Sequence, residues 1–242
     1  MGLKGELLSV KELTGLQKGR MCQLLNQYFQ HITSDCFEHD LKEKDWVIVL
    51  SDVESGTIQG FSTQKLIRAS VNGVKIRGIF SGDTIIDKEF WGGTELVRKW
   101  FDLVFSLLEK DKDSKLYWFL ISMGYKTYRF LPVYFHAFYP RFDKETPLHE
   151  KSIMDTFSRI KFPDQYNADT GIIHFDGAVA CLRERYAEIP EHKLRDPHIR
   201  FFKEINPLFE SGDELVCLAE LSHDNFKPIV HKLMGETISM GA

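Results

Sequence analysis

The sequence predicts an α+β fold built around a mixed, mostly antiparallel sheet, and three observations support this prediction. The run Trp46–Leu50 has the length and the branched, apolar composition of a buried strand. Asn72-Gly73 separates two strand-like runs and is typical of a two-residue hairpin turn. The stretch 94–109 repeats apolar residues at helical spacing and is too long to be a strand.

The other elements follow in chain order from the same kinds of pattern. Helices are predicted over about 17–31, from 34 onward, over 125–139 with a break at Pro132, and over 149–160 and 177–187. Strands are predicted over 46–50, 57–69, 74–79, 84–86, 116–121, 171–175 and 215–221. The order of these elements favours α+β or α/β architecture, with helices flanking a mixed sheet.

The third strand begins with alternating apolar and charged residues. Val74 and Ile76 are expected to face inward, and Lys75 and Arg77 outward. Two glycines follow, at 78 and 82, and a glycine within a strand predicts a β-bulge or the close approach of another chain segment.

Composition excludes several classes of protein. The chain has 242 residues, 43% of them hydrophobic, and a formal net charge of −4, whereas a nucleic-acid binder needs a basic face. Its apolar runs are too short to span a membrane, and its first residues do not form a secretory signal. The four cysteines include no C-x-x-C pair, so we expect a cytoplasmic protein without zinc.

The composition changes at residue 140, after which proline, aspartate and histidine become frequent, and this change predicts how the chain is organised. A core with an N-terminal helix is expected over 1–139, and an extension over 140–242 completes the sheet and the acceptor side, within one continuous domain. The segment 196–209 combines aromatic residues with prolines. It is interpreted either as a lid over an apolar channel or as a loop anchored by its aromatic rings.

The diglycine Gly92-Gly93 stands where a strand passes into a helix. At such a turn, free backbone N–H groups and the helix dipole favour an anionic ligand. No Gly-Lys-Ser/Thr follows, so the turn is not a P-loop, and the spaced glycines of the dinucleotide fingerprint are absent. A purely steric role for the turn stays open.

The stretch of about 45–139 resembles the GNAT superfamily of acyl-CoA-dependent N-acyltransferases. Strands lead into the turn, and an apolar helix, a buried strand and an aromatic helix follow it. The superfamily's loop pattern is Arg/Gln-x-x-Gly-x-Gly/Ala, and this chain has Glu89-Phe90-Trp91-Gly92-Gly93-Thr94 in that register. Only Gly92 matches the pattern, so the resemblance implies a divergent member.

The resemblance implies a splayed sheet in which the donor's pyrophosphate lies on the loop before the helix. The residues it implies for binding the donor are Phe80, Ser81, Gly92, Gly93, Thr94, Lys126 and Arg129. Glu95 places a carboxylate in the first helical turn, where it would repel phosphate. A donor carried by an acyl carrier protein is therefore an alternative to coenzyme A.

The resemblance also implies an acid and a base. Asp83, or alternatively Asp87, would take the proton from the amine, directly or through a water molecule. Tyr128 or Tyr125 would protonate the departing thiolate. Asp83 also has a structural interpretation as a side-chain cap of the bulge, and both tyrosines have one as structural residues with their hydroxyls satisfied at the surface.

The functional hypothesis is an N-acyltransferase that moves an acyl group from a thioester to an amine on a small molecule or peptide by direct attack. Phenylalanine accounts for 19 residues, which favours either a large aromatic core or a groove for a medium or long acyl chain. Two alternatives remain, namely a non-catalytic ligand-binding protein and a thioesterase-like hydrolase that uses His174. Neither requires a metal.

Overall fold

The computed structural model describes residues 2–175 and 181–235. Its strands are β1 (Leu3–Ser9), β2 (Phe29–Gln30), β3 (Trp46–Asp52), β4 (Ile58–Val71), β5 (Val74–Ile86), β6 (Lys115–Ser122), β7 (Tyr166–Asn167), β8 (Ile172–Ile173), β9 (Cys181–Leu182) and β10 (Glu214–Glu220). Its α-helices are α1 (Gly15–Tyr28), α2 (Ser34–Lys42), α3 (Glu95–Lys110), α4 (Tyr125–Tyr128), α5 (Phe130–Tyr134), α6 (Leu148–Lys161), α7 (Glu184–Ala187), α8 (Pro197–Ile205) and α9 (Pro228–Met234).

The chain forms two compact units, and strands β4 and β5 contribute residues to both. Unit 1 comprises residues 1–66, 80–113 and 228–242, and unit 2 comprises residues 67–79 and 114–227. In unit 1 the strand order is β1-β3-β4-β5, with antiparallel pairing from β1 to β3 and from β3 to β4. In unit 2 the order runs from the turn ends of β4 and β5 through β6-β10-β8-β7, and the pairs from β6 onward are antiparallel.

The helices of unit 1 follow from local signals in the sequence. Thr14 and Gln17 form a capping box that starts α1, and the Thr33 hydroxyl caps α2. Helix α3 packs against β1 and β3 through an apolar face that includes Trp100 and Phe101. This packing places the N-terminus of α3 directly after the strand β5 and the diglycine turn.

Unit 2 has an aromatic core. The ring of Phe157 on α6 lies 5.6 Å from the ring of Phe119 on β6, between centroids. Gly78 faces the same ring, since a β-carbon there would lie 2.8 Å from Phe157 Cζ. The predicted close approach at Gly78 is therefore confirmed, and its cause is an aromatic side chain.

The fold class is confirmed: helices flank a mixed, mostly antiparallel sheet. The predicted hairpin is confirmed as well, because Asn72 and Gly73 both have positive φ, at 51° and 80°. No helix among the described residues is long and apolar enough to cross a membrane. The division into 1–139 and 140–242 stays a prediction.

Several sequence predictions need correction. Strand β1 was not predicted, because the burial of Leu3–Ser9 does not follow a clean alternation. Val74 is 55% exposed and Arg77 only 4%, the reverse of the expected orientation at these two positions. The Arg77 guanidinium donates to the Ser114 carbonyl at 2.9 Å, which helps to offset the cost of its burial.

Two further corrections concern the C-terminal half. The segment 196–209 is not a loop over most of its length, since helix α8 covers Pro197–Ile205 and is capped by Asp196. Its role as a lid or an acceptor-recognition element stays a prediction. The strand predicted over 171–175 is limited to Ile172–Ile173. The helix predicted over 177–187 lies partly outside the described residues, and α7 accounts for its last turn.

Candidate functional site

A row of polar side chains joins β4 and β5 in unit 1. Ser81 donates to the Gln64 side-chain oxygen at 2.7 Å, and the Gln64 amide donates to the Ser62 hydroxyl at 2.7 Å. The Ser62 hydroxyl also lies 2.7 Å from the Thr84 hydroxyl. Ser62, Gln64 and Ser81 are all buried. This network satisfies groups that would otherwise be costly to bury, and it fixes one strand against the other.

The network indicates a β-bulge in β5. Only Thr63 separates Ser62 from Gln64 on β4, whereas both Gly82 and Asp83 separate their partners Ser81 and Thr84 on β5. Two residues opposite one is the count of a β-bulge, which the sequence predicted from its glycines. The extra residue changes the direction of the side chain that follows it.

Asp83, the predicted base, lies in this bulge. It is half-buried, and burial raises the pKa of its carboxyl from 3.8 to about 6. The negative charge of Asp40 adds to this rise in pKa, and the ammonium of Lys44 opposes it. A carboxylate with a pKa near neutrality suits general-base catalysis.

Lys44 is the residue of this site that the sequence reasoning missed. Its side chain is 0% exposed and forms an ion pair with the Asp40 carboxylate at i,i+4 spacing. It also donates to the Asp40 carbonyl at 3.1 Å, and its ammonium lies 5.7 Å from the centroid of the Phe80 ring. The i,i+4 spacing of aspartate and lysine was a signal for the pair, but nothing local placed it beside β5.

The predicted donor-binding residues of β5 have structural partners. Phe80 is 2% exposed and contributes its ring to the surroundings of Lys44. Ser81 is 5% exposed, and its hydroxyl is engaged with Gln64. Their side chains therefore shape the bulge, and a role in binding the donor stays a prediction.

The diglycine turn is held firmly where it begins. The Tyr28 hydroxyl accepts from the Lys88 amide at 2.6 Å, and the Asp87 amide donates to the Gln59 carbonyl at 2.7 Å. The Asp87 carboxylate accepts from the Glu89 amide, which makes it a turn cap. This gives Asp87, the alternative base, a structural role.

The glycines themselves lie at the surface. Gly92 has a φ of 92°, a conformation that favours glycine, and Gly93 and Thr94 are exposed. The Thr94 side chain makes no capping hydrogen bond at the start of α3. The first turn of α3 begins with Glu95 instead of the small or basic residues that favour a phosphate.

A cavity of about 220 Å³ lies against this turn. Its lining consists of Gly2, Leu3, Leu50, Ile86, Glu89, Phe90, Trp91, Gly93, Glu95 and Leu96. The two ionisable side chains in that lining are both carboxylates, so the cavity does not fit a pyrophosphate. The cavity beside the turn therefore does not support the predicted binding site for an anionic ligand.

The two predicted acids are both buried. Tyr128 is 0% exposed, and its hydroxyl donates to the Pro140 carbonyl at 2.8 Å within an aromatic cluster that includes Phe138 and Phe202. Burial raises the pKa of Tyr128 far above its usual value, which makes it a poor proton donor. Tyr125 is 6% exposed, and burial raises its pKa as well. The geometry favours a structural role for Tyr128.

The two predicted cations of α4 and its C-cap lie in unit 2. Arg129 forms an ion pair with Asp196, with Nε 3.4 Å from the carboxylate oxygen. Lys126 is exposed, and partial burial of its ammonium lowers its pKa. Because Asp196 already neutralises part of its charge, Arg129 is the weaker candidate for a phosphate contact.

His174 forms a pair with a buried carboxylate in unit 2. Its Nδ1 lies 2.6 Å from Asp213, whose side chain is 10% exposed, while the imidazole is 55% exposed. The amide of Asn206 donates to the Asp213 carbonyl at 2.9 Å. A histidine oriented by a carboxylate is an arrangement that general bases share.

The predicted site residues thus fall into two groups. Unit 1 contains Phe80, Ser81, Asp83, Gly92, Gly93 and Thr94, and unit 2 contains Tyr125, Lys126, Tyr128, Arg129 and His174. Within unit 1 the structure brings Phe80 and Asp83 together around Lys44. In the described part of the chain, no cluster of histidine, cysteine and carboxylate side chains could hold a metal ion.

The solved structures that match this chain include acyltransferases. Glucosamine-6-phosphate N-acetyltransferase from Arabidopsis thaliana matches with a TM-score of 0.35 and 16% identity, over 50% of this chain and 82% of that one. A GNAT-family N-acetyltransferase from Escherichia coli, in complex with CoA, matches with a TM-score of 0.36 and 16% identity, over 50% of this chain and 64% of that one.

Yeast N-myristoyltransferase with bound myristoyl-CoA, from Saccharomyces cerevisiae, matches with a TM-score of 0.37 and 16% identity, over 49% of this chain and 31% of that one. Because the TM-scores are below 0.5, the likeness carries no weight for substrate or mechanism. No protein-family model and no curated protein matches this chain.

Proposed function

We propose that this chain is an acyltransferase that moves an acyl group from a thioester to an amine. The observation that carries the proposal is the Asp83 carboxyl, which lies half-buried in a β-bulge with a pKa of about 6. Such a group is mostly ionised at neutral pH and still basic enough to accept a proton from an attacking amine.

In the proposed reaction the amine nitrogen attacks the thioester carbonyl carbon. A carbon–nitrogen bond forms, the carbon–sulfur bond breaks, and its electron pair leaves with the sulfur. Asp83 accepts the amine proton, and backbone N–H groups around Ile79 to Ser81 polarise the carbonyl. The departing thiolate takes up a proton from solvent, and Tyr128 stays a structural residue because its hydroxyl donates to the Pro140 carbonyl.

The donor is proposed to be an acyl-CoA, and the phenylalanine content favours a medium or long acyl chain. The carboxylates of Glu89 and Glu95 beside the diglycine turn oppose a phosphate grip there. A donor presented by an acyl carrier protein is therefore kept as the second form of the same proposal. The acceptor is an amine on a small molecule or a peptide.

A thermal-shift series tests the donor directly. The chain is heated with coenzyme A and with acyl-CoA thioesters of increasing chain length, because a ligand that binds the folded state stabilises it by mass action. At a ligand concentration of about 100 Kd the gain is roughly 2.7 kcal/mol. Stabilisation by a thioester, followed by release of free thiol only when an amine is added, supports the proposal.

Two other outcomes would contradict it. Stabilisation by a thioester without turnover for any amine would indicate a ligand-binding protein. The exposed position of Gly92 and Gly93 favours this alternative. No stabilisation by any thioester, followed by no transfer from an acylated carrier protein, would exclude an acyl donor of either kind.

A second candidate function has an observation of its own in the pair of His174 and Asp213. An imidazole oriented by a buried carboxylate can activate a water molecule, as a thioester hydrolase requires. Thiol release that needs no amine, and that falls in His174→Gln but not in Asp83→Asn, would favour hydrolysis. Equal thiol release by His174→Gln and the parent chain would exclude this candidate.

A further inference from the structure

Lys44 is a buried charge that the proposed reaction does not use. Its side chain is 0% exposed, and an unpaired ammonium in that position would cost several kcal/mol. The Asp40 carboxylate and carbonyl, together with the face of Phe80, offset this cost. The Asp40 side chain is itself 39% exposed, so the pair is partly open to solvent on that side.

Lys44 also packs directly against the bulge. A β-carbon built on Gly82 would lie 2.8 Å from Lys44 Cε and 3.4 Å from its Nζ. The side chain of Lys44 therefore passes across the backbone of Gly82, the residue before Asp83. Thr63 closes the same space, because its hydroxyl would lie 2.7 Å from that β-carbon.

We infer that Lys44 is a positioning residue for Asp83: its buried side chain, held by Asp40, crosses the backbone of Gly82 and fixes the bulge that presents the Asp83 carboxylate. The inference rests on the proposed function, in which Asp83 is the base. Among the described residues, Asp40 and Lys44 are the charged groups that act on Asp83. Asp40 raises the pKa of Asp83 and Lys44 lowers it. Removing each charge in turn should therefore move this pKa in opposite directions, which a role in packing alone would not do.

The test is an NMR titration of the Asp83 carboxyl carbon, which requires no substrate. The resonance is assigned by its absence in Asp83→Asn. In Lys44→Met, which keeps most of the apolar length of the side chain and removes its charge, the titration midpoint should rise by about one pH unit. Lys42→Met is the matched control, because Lys42 is exposed and lies at the end of α2, two residues before Lys44. Its midpoint should equal that of the parent chain.

Asp40→Asn gives the opposite prediction and serves if Lys44→Met does not fold. Removal of the like charge should lower the Asp83 midpoint. A folded Lys44→Met with an unchanged midpoint, or an Asp40→Asn with an unchanged or higher one, would overturn the inference. If acyl transfer occurs, the acidic limb of the pH profile of kcat/KM should move with the midpoint.

This design separates two kinds of failure. A shifted Asp83 midpoint with no acyl transfer for any donor would leave the role of Lys44 standing and remove the proposed reaction. An unmoved midpoint in an active chain would leave the reaction standing and remove the role of Lys44.

Discussion

Gly82 and Gly92 belong to the same unit, yet the space around them differs in kind. A β-carbon on Gly82 would collide with Thr63 and Lys44, whereas a β-carbon on Gly92 would meet nothing within 4 Å. Gly92 is glycine because its φ is 92°. Glycine is therefore required at residue 82 by the neighbouring side chains and at residue 92 by the backbone conformation. A glycine in the sequence does not distinguish these two requirements.

If the bulge is the functional region, its carboxylate should have the largest effect on activity. We expect Asp83→Asn to lower kcat/KM by about 10²–10⁴-fold, the usual contribution of a general base. Asp102→Asn on α3 is a matched control, because this exposed carboxylate pairs with Lys99 at the surface. Equal loss of activity in the two variants would remove Asp83 from the reaction.

The same substitution should raise stability at neutral pH. The folded pKa of Asp83, about 6, is above its unfolded value of 3.8, so the folded state keeps the proton longer than the unfolded state. The free energy of unfolding therefore falls as pH rises from about 4 to about 6, by up to roughly 3 kcal/mol. Denaturant titrations at several pH values should show that Asp83→Asn loses this dependence. A destabilised Asp83→Asn at pH 7 would contradict it.

The crowding at Gly82 gives the next largest effect. Gly82→Ala should lower the free energy of unfolding by about 1–3 kcal/mol, because the added methyl overpacks the space between Thr63 and Lys44. The loss should shrink when Thr63→Ala removes one of the two colliding groups, which a double-mutant cycle measures. An unchanged free energy of unfolding in Gly82→Ala would mean that the bulge has room for a β-carbon at this position.

The smallest effects are expected at the turn. Gly92→Ala should cost about 1 kcal/mol, because alanine disfavours a positive φ. Gly93→Ala should be close to neutral, since its nearest contact would be the Phe90 carbonyl at 3.5 Å. Neither substitution should change the affinity for a thioester if the carboxylates beside the turn exclude phosphate. A tenfold weaker affinity in Gly92→Ala would restore the turn as a donor site.

The sequence predicted those features that local patterns encode. The positive φ of Asn72 and Gly73 is built into the dipeptide. Helix α3 follows from an apolar repeat long enough to exclude a strand. At Gly78 and Gly82 the sequence predicted a bulge or a close approach, and it left open which of the two each glycine serves.

What the sequence did not predict depends on long-range packing. Lys44 and Asp83 lie far apart in the chain, and only the packing of the segment after α2 against β5 brings them together. Arg77 was assigned to the surface by its charge, yet a carbonyl of a distant residue compensates its burial. The two tyrosines were assigned through the family resemblance. Both are buried, and the hydrogen bond to the Pro140 carbonyl gives Tyr128 a structural role that the sequence does not show.

The bulge in β5 also has a consequence for comparing sequences. The bulge shifts the side-chain register of the strand by one residue. Side chains after the extra residue therefore point to the faces opposite those that strict alternation would assign. A related chain with one residue fewer between Ser81 and Thr84 would present its later strand positions to the other side. If a sequence alignment places no gap at the bulge, it matches residues that lie on opposite faces of the strand. Asp83 would then be matched to a residue in a different environment.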